Sequence, residues 1–560
     1  LQEDWLFFQK NLNRKETPMK FKVFFIIILS TFFLFSSFAI ENTSNLSKDV
    51  PDYGDALIIG SIADASILIP MIATDVMSHE VAGRIFLGVV KYAPDLRIIG
   101  DLAEKFEISP DQKTITFYLK RGVKWADGVE VTAEDVYFGF KLITSSKIPS
   151  PYASDFLEVQ DFKIIDPYTF KVTYKRPFAL ALPSWGNLVV LPKHILEGKS
   201  LDYLKNVFGR NPIGNGPFKL ERWKTQQEIL LKYNPLYYEG RPYLNYLIYR
   251  IIPDPSTLFM ELKSGGIDWI SLTPLQYLKL QRESELKSQF NIYKYSSFSF
   301  TYIGYNLNHP FFKDKRVRKA LCYAINREEI VKGALLGQGI PAYGPYKPDT
   351  WFYNKNIENS CPYNPQKALE LLKSAGFTKG KDGILEKEGN PFEFTILINQ
   401  GNLSRLLAAQ IIQRQLSQIG IKVNIRVMEW TTLIHQFIDT RRFSAVILGW
   451  ATGPDPDLYD IFHCSKTKPP GLNFINYCNP KLDKLLEEGR YTLDREKRKK
   501  IYYQVQEILA EDQPYTFLYI PMSLEAIHKR FKGIKVSPIG IGYNIEKWWV
   551  PKNMQKYLIP

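Results

Sequence analysis

The chain has 560 residues, 45% of them hydrophobic and 23% charged, which excludes a disordered polypeptide and leaves room for two to four domains. A formal charge of +14 would suit a nucleic-acid partner. However, the Lys and Arg residues are spread along the chain, with no RNP motif, zinc-finger spacing or basic-region heptad, so the sequence reads as a solvated basic surface with no nucleic-acid role.

In chain order, Leu1 to Pro18 precede the first Met and are set aside as an upstream extension, 1–18. From Met19 the sequence has the layout of a secretory signal, 19–39. Lys20 and Lys22 form a positive start, Val23 to Phe35 an apolar core, and Ser37 and Ala39 place small residues at the −3 and −1 positions of a cleavage site. An uncleaved anchor is the rival reading, because the apolar stretch nearly spans a bilayer. No Cys follows the core, so a lipoprotein is not expected. The mature protein is expected to be exported to the periplasm.

A strand is expected at Ala56 to Gly60, then a helix through Glu80 to Phe86. In TITFYL, Ile115, Phe117 and Leu119 share one face of a strand. Thr132 and Asp135 have capping-box spacing and start a helix. Gly122 and Gly128 suit turns flanking Trp125, which reads as packed structure. GPFKLERW and EILLKY read as a hairpin, and YLIYRII as a buried strand leading to a helix at Pro255 to Ser264 that Gly265 stops. Gly214 and Gly216 lack phosphate-loop spacing and precede a strand, so they read as a turn.

From about residue 301 the pattern is α/β. Asp314 caps a helix whose apolar face is Val317, Ala320, Leu321, Ala324 and Ile325. Asn364 and Pro365 start another, which ends at Gly376. Phe394, Ile396 and Ile398 alternate as a strand. A helix burying Ala408, Ile412 and Leu416 follows, then a strand with Val423, Ile425 and Val427. This is a βαβ unit and predicts a parallel sheet. FSAVILG supplies a third strand. Ligands bind open α/β sheets outside the carboxyl ends of the strands, which nominates the loop after Leu448.

Of the four cysteines, Cys464 and Cys478 close a short Pro-, Gly- and Asn-rich loop and are expected to be bridged in an exported protein. Cys322 lies in an apolar helical pattern and reads as a buried thiol. His463 beside Cys464 lacks the further ligands of a metal site, and no metal or other cofactor is expected.

The segment LAEKFEISPDQKTITFYLKRGVKWADGVEVTAEDVYFGFK resembles the signature of the bacterial family 5 extracellular solute-binding proteins. This is the oligopeptide- and dipeptide-binding family of ABC importers. The likeness continues through VLPKHIL, NPIGNGPFKL, YNPLYYEGRPYLN, RIIPDPSTLFMELKSGGID, NHPFFKDKRVRKALCYAINREEIV, GWATGPDPD and YCNPKLDKLLEEGR. It implies an α/β type II periplasmic-binding-protein fold, with two main lobes, a hinge and an extra lobe. Lobe I would comprise 50–88, 208–300 and 525–560, the extra lobe 89–207 and lobe III 301–524. Hinges would lie near Ser299 to Tyr302 and near Leu524, and ligand would be enclosed between the lobes. The implied partners are a short peptide or other small solute and the permease subunits of an ABC importer, with the protein itself a monomer.

In peptide-binding members of that family, an Asp shortly after a Gly-Trp pair holds the peptide ammonium. Here Gly449 and Trp450 are followed by Gly453 where that Asp is expected. Asp455 is either its shifted replacement or a turn residue. Trp450 offers a flat apolar face to a ligand. Tyr302 and Asn306, at the crossing into the last lobe, are expected to share a face toward the cleft. Ser61, Asp64 and Ser66 follow the first strand and either edge the cleft or cap a turn.

Two rivals were weighed. A secreted hydrolase would need an activated nucleophile or metal set, and neither GxSxG nor HExxH occurs. A binder of a non-peptide solute, an oligosaccharide or a metal chelate, keeps the fold; the missing Asp permits a sugar, whereas a nickel chelate would favour a cleft His, and none falls in the nominated loops.

Overall fold

The computed structural model describes residues 50–557 other than Ser146, Val189 and Ser297. The upstream extension and the signal segment lie outside the described residues. Among the described residues, no helix is long and apolar enough to cross a membrane.

A twelve-stranded sheet organises the fold and divides into two halves. The first half holds β1 (Ala56–Ser61), β2 (Phe218–Lys224), β3 (Glu228–Tyr233), β4 (Tyr246–Ile251), β5 (Trp269–Ser271) and β6 (Phe290–Ser296). The second half holds β7 (Ser299–Tyr305), β8 (Gly339–Pro341), β9 (Glu393–Asn399), β10 (Lys422–Met428) and β11 (Ala445–Ala451). A single long strand, β12 (Tyr515–His528), runs through both. Its first residues pair with β7 and β8, and its last with β5 and β6. The order across the sheet is β10-β9-β11-β7-β12-β5-β1-β4-β3-β2, with β6 and β8 also on β12.

The second half follows from its periodicity. β9 pairs in parallel with both β10 and β11. The helix Leu403–Ser417 makes the crossover from β9 to β10 and buries Ala408, Ala409, Ile412 and Leu416. Each buried Leu or Ile contributes roughly 1.5–3 kcal/mol. Gly420, at φ 78°, turns the chain into β10 in a conformation open to glycine at little cost. The first half contains the expected β2–β3 hairpin, antiparallel to β4. Asp254 accepts from Thr257 N at 2.7 Å to cap the helix Pro255–Ser264, and Gly265 ends it.

The segment between β1 and β2 carries a separate four-stranded antiparallel sheet: Ala103–Ile108, Thr114–Leu119, Thr169–Tyr174 and Val159–Asp166. Ile115, Phe117 and Leu119 face inward as their alternation predicts. The Asp135 carboxylate accepts from Thr132 N at 2.9 Å, completing the expected helix start. Phe162 stacks on Phe170 at 5.0 Å, and both pack against the fully buried Trp185. This core is continuous with that of β1, β3 and β4, so the inserted sheet is anchored to the first half.

Two features of the first half depend on its last strand. Arg530 is buried between Asp55 and Asp268, bonding Asp268 Oδ2 at 2.7 Å and pairing with Asp55. Glu525, on β12, accepts from Trp269 Nε1 at 2.8 Å and Ser271 Oγ at 3.0 Å. Burial pushes its carboxyl from the ordinary 4.5 up to about 8. A carboxyl that keeps its proton longer when folded stabilises fully below pH 4.5, and loses that contribution as pH rises from 4.5 toward 8. Glu525→Gln keeps the shape without the charge. Its thermal midpoint is expected to exceed that of the parent by several degrees at pH 8 and to match it at pH 4, as read by melting at both values.

The cysteines correct one expectation. Cys464–Cys478 is bridged as expected, but Cys322 is not a free thiol: it is bridged to Cys361 across 39 residues, with Cα atoms 6.2 Å apart. The helix Lys315–Ala324 turns Cys322 inward, and the buried Cys361 meets it there. No local spacing announces such a long-range pair. Cys464, Cys478 and Asp483 place their ligand atoms within 4.8 Å of one another. With both sulfurs in a disulfide, no thiolate remains to bind a metal.

Candidate functional site

β9 and β11 end on the side where the two halves of the sheet meet. Beyond β9, a Cβ at Gly401 would lie 2.6 Å from Pro253 O and 3.2 Å from Ile62, both of the first half. Gln226, in the β2–β3 turn, donates from Nε2 to Glu429 Oε1 at 3.5 Å. A larger seam joins the inserted sheet to the second half. Ser154 Oγ donates to Asp460 at 2.8 Å, Ala179 N donates to Arg490 O at 2.7 Å, and Arg490 pairs with Asp155. Arg176 lies 3.1 Å above the Tyr491 ring. Three regions distant in sequence thus close on one another around the strand ends.

The nominated loop stands at this seam, and its acids are engaged. Arg498 holds Asp455 through two bonds, 2.6 and 2.8 Å. Such bidentate pairs are among the strongest polar contacts, so the Asp455 carboxylate is already neutralised. Asp457 is half-buried beside it. Burial, reinforced by Asp455 and Asp460, pushes its carboxyl well above the usual range. Trp450 is half-buried at the end of β11, with Nε1 donating to Tyr515 OH at 3.3 Å and its ring 5.9 Å from Phe474.

The other nominated residues are mostly occupied. Tyr302 is fully buried, stacked on Tyr515 at 3.8 Å. Asn306 is buried beyond the end of β7, and its amide donates to Arg441 O and Phe443 O at 3.0 and 2.9 Å. Tyr302 and Asn306 therefore support the strand ends from within. Ser61 Oγ donates to Ala63 O at 2.7 Å and shapes the turn after β1. Asp64 is buried and accepts from Trp223 Nε1 and Gln226 N at 3.0 and 2.8 Å, tying that turn to the β2–β3 hairpin. Burial raises its carboxyl although these bonds oppose the shift. Ser66 Oγ donates to Asp75 at 2.5 Å. Sequence reasoning missed Arg490, Arg498 and Asp155, whose contacts join distant segments. Arg490 closes the quoted EEGR motif, the one signal that could have flagged it.

Residues 97–469 match the model described as bacterial extracellular solute-binding proteins, family 5 Middle. The chain belongs to this family. It is similar to the oligopeptide-binding protein AppA of Bacillus subtilis (strain 168), 36% identical over 549 residues, 96% of this chain and 99% of that protein. The structure of AppA in complex with a nonapeptide superposes with a TM-score of 0.85 at 35% identity, over 90% of this chain and all (100%) of that one. NikZ from Campylobacter jejuni in complex with Ni(L-His) gives 0.80 at 30% identity, covering 89% of this chain and 100% of that chain. DppA from Helicobacter pylori in complex with the peptide STSA gives 0.81 at 26%, covering 90% and 99%. The fold is that of the family 5 periplasmic binding proteins, with two main lobes and an extra one.

Proposed function

We propose that this family 5 protein captures short peptides between its lobes and delivers them to the permease subunits of an ABC importer. The observation that carries this reading is the likeness, in sequence and in fold, to a protein seen holding a nonapeptide. Lobe I would comprise 50–88, 208–300 and 525–560, the extra lobe 89–207 and lobe III 301–524. Hinges would lie near Ser299 to Tyr302 and near Leu524. Export through the segment 19–39 to the periplasm, without a lipid anchor, and action as a monomer belong to the same proposal. Binding performs no bond chemistry; selectivity comes from closure and from the polar groups it desolvates.

A second reading, capture of a non-peptide solute, is favoured by the engagement of Asp455 with Arg498 and by the likeness to NikZ with its Ni(L-His). Thermal-shift screening of the protein against peptide, oligosaccharide and metal-chelate panels separates the two, because a bound ligand raises the melting midpoint by mass action. Shifts with peptides are expected. Shifts with oligosaccharides or chelates and none with any peptide would overturn the peptide reading. Trp450→Ala is expected to weaken the ligand so identified by about tenfold, measured by calorimetry. Unchanged affinity would remove Trp450 from the site.

A further inference from the structure

We propose that the amino ends of the strands in the first half of the large sheet form a docking face for an anionic phospholipid surface, seated through six lysines without ion-pair partners. Such seating goes beyond solute capture and does not depend on which solute is held.

β1 runs parallel to β4 and β5, so the three begin at one end of the sheet. β12 runs against β5 and arrives there at His528, opposite Phe290, the first residue of β6. Ligands meet such sheets at the other end, beyond the carboxyl ends of the parallel strands. The lysines gather where the strands start. Lys529 and Lys532 follow β12, Lys287 lies shortly before β6, and Lys263 stands in the last turn of the helix Pro255–Ser264. The last described residues cross the same end. Lys532 bridges to Trp549, Lys552 N donates to Asp52 at 2.8 Å, and Lys556 Nζ lies 3.5 Å from where Gly265 would carry a Cβ.

Among the described residues none of the six makes an ion pair; Lys529 is half-exposed and the other five are exposed. The acids at this end offset little of that charge. Asp55 and Asp268 are buried and spent on Arg530, and Glu261 is paired with Arg250, which leaves Asp52 and Glu285. His528 registers the local field: burial, then Lys556 and Arg530, lowers its imidazole from the ordinary 6.5 to about 4. Val50, Tyr53 and Met554 stand exposed among the lysines, and Gln555 Nε2 donates to Tyr53 O at 3.1 Å to hold the two chain segments together. Cations interleaved with a tyrosine and aliphatic tips suit a headgroup layer: the cations meet lipid phosphates, and the apolar tips enter the boundary with the acyl chains. The sequence places the same end next to a membrane. Residues 40–49 separate Val50 from Ala39, the end of the expected signal segment, and a stretch of that length reaches about 35 Å at most. This end is therefore the one presented to the bilayer as export finishes. A protein expected to carry no lipid anchor gains from such a face a reversible hold on the membrane, with the opposite end of the sheet left free to meet solute.

The test is sedimentation of the signal-free protein, residues 40–560, with vesicles of phosphatidylcholine alone and of phosphatidylcholine carrying about 30% phosphatidylglycerol. Binding to the anionic vesicles is expected, with association at least about tenfold weaker on the neutral ones, and it should fall steeply between about 0.05 and 0.5 M salt. The quadruple variant Lys529→Gln, Lys532→Gln, Lys552→Gln, Lys556→Gln is expected to bind the anionic vesicles about a hundredfold more weakly or less, at about fivefold per lysine. The control removes as many exposed lysines elsewhere, Lys379→Gln, Lys381→Gln, Lys468→Gln, Lys497→Gln, and is expected to lose less than about threefold. Tyr53→Ser with Met554→Ser is expected to weaken binding about fivefold. Every variant should keep the parent's melting midpoint and its affinity for solute, which separates loss of the face from loss of the fold. Equal sedimentation with both vesicle types, equal losses in the two quadruple variants, or no sedimentation with either vesicle overturns the proposal and leaves solute capture standing. Retention on poly-glutamate beads but on no vesicle, reversed by the first quadruple variant, assigns the face to an acidic protein and overturns the proposal as well.

Discussion

Arg530→Met is expected to destabilise lobe I by about 3–5 kcal/mol, the cost of removing one partner from a buried ionic cluster. Asp55 and Asp268 are wholly buried, with Arg530 between them. Asp268 also accepts from Ile58 N at 3.1 Å, and Asp55 receives the backbone N–H groups of Lys556 and Tyr557 at 3.1 and 3.0 Å. The cluster fastens the start of β1 to the final residues of the chain. Methionine fills much of the volume and cancels none of the charge, leaving two carboxylates in an apolar setting. Burial already raises Asp268 with Arg530 opposing it; without Arg530 its carboxyl would rise further. Part of the loss should therefore be regained as the pH falls and Asp268 takes up a proton. Denaturant titration at pH 7 and pH 5, following lobe I by hydrogen exchange, measures both effects. Arg97→Met, at an exposed Arg97–Asp95 pair, is the control and is expected to cost less than about 1 kcal/mol.

Asp155→Ala is expected to hasten ligand release about tenfold without touching the ligand. Asp155 lies in the segment that carries the inserted sheet, and Arg490, its partner, in the helix Pro480–Tyr491 beside the second half of the large sheet. Arg490 is buried beneath the Phe178 and Tyr459 rings, 5.1 and 4.4 Å from their centroids, and burial lowers it to about 10. In the closed protein the Asp155 carboxylate compensates for that burial. Without it, closure leaves the guanidinium with only the Asp457 carboxylate, 3.7 Å from Nε, a cost of about 1–2 kcal/mol that falls on the closed state alone. A ligand held only in the closed state inherits that loss as a faster off-rate. Stopped-flow release and small-angle scattering of the ligand-free protein test this. An unchanged off-rate would mean that the pair persists in both states.

The second half of the large sheet was legible because its signals are local. The alternation at Phe394, Ile396 and Ile398, the helix face of Ala408, Ile412 and Leu416, and the turn at Gly420 each determine a feature within a few residues, and together they predict the parallel strands. The Thr132–Asp135 helix start and the helix at Pro255–Ser264 were legible for the same reason. The site was less so. Asp455 stood in the nominated loop, but its engagement depends on Arg498, 43 positions away on a helix whose register no local rule relates to the loop. Tyr302 and Asn306 lie on and just beyond β7, and whether they face outward or into the core depends on packing against Tyr515 and Phe443. The Cys322–Cys361 pair and the Asp155–Arg490 pair belong to the same long-range class.

β12 has a consequence for the order of events in the cell. It is synthesised after every other strand of the large sheet, yet it lies between β7 and β5 and, among the described residues, is the only element pairing with both. Until it emerges, β5 and β7 each present an open edge, and the buried acids near the start of the chain have no counter-charge. A ribosome-bound chain therefore cannot complete the sheet before its translation is nearly over. That delay leaves the two central edges of the large sheet unpaired until almost the whole chain has been made.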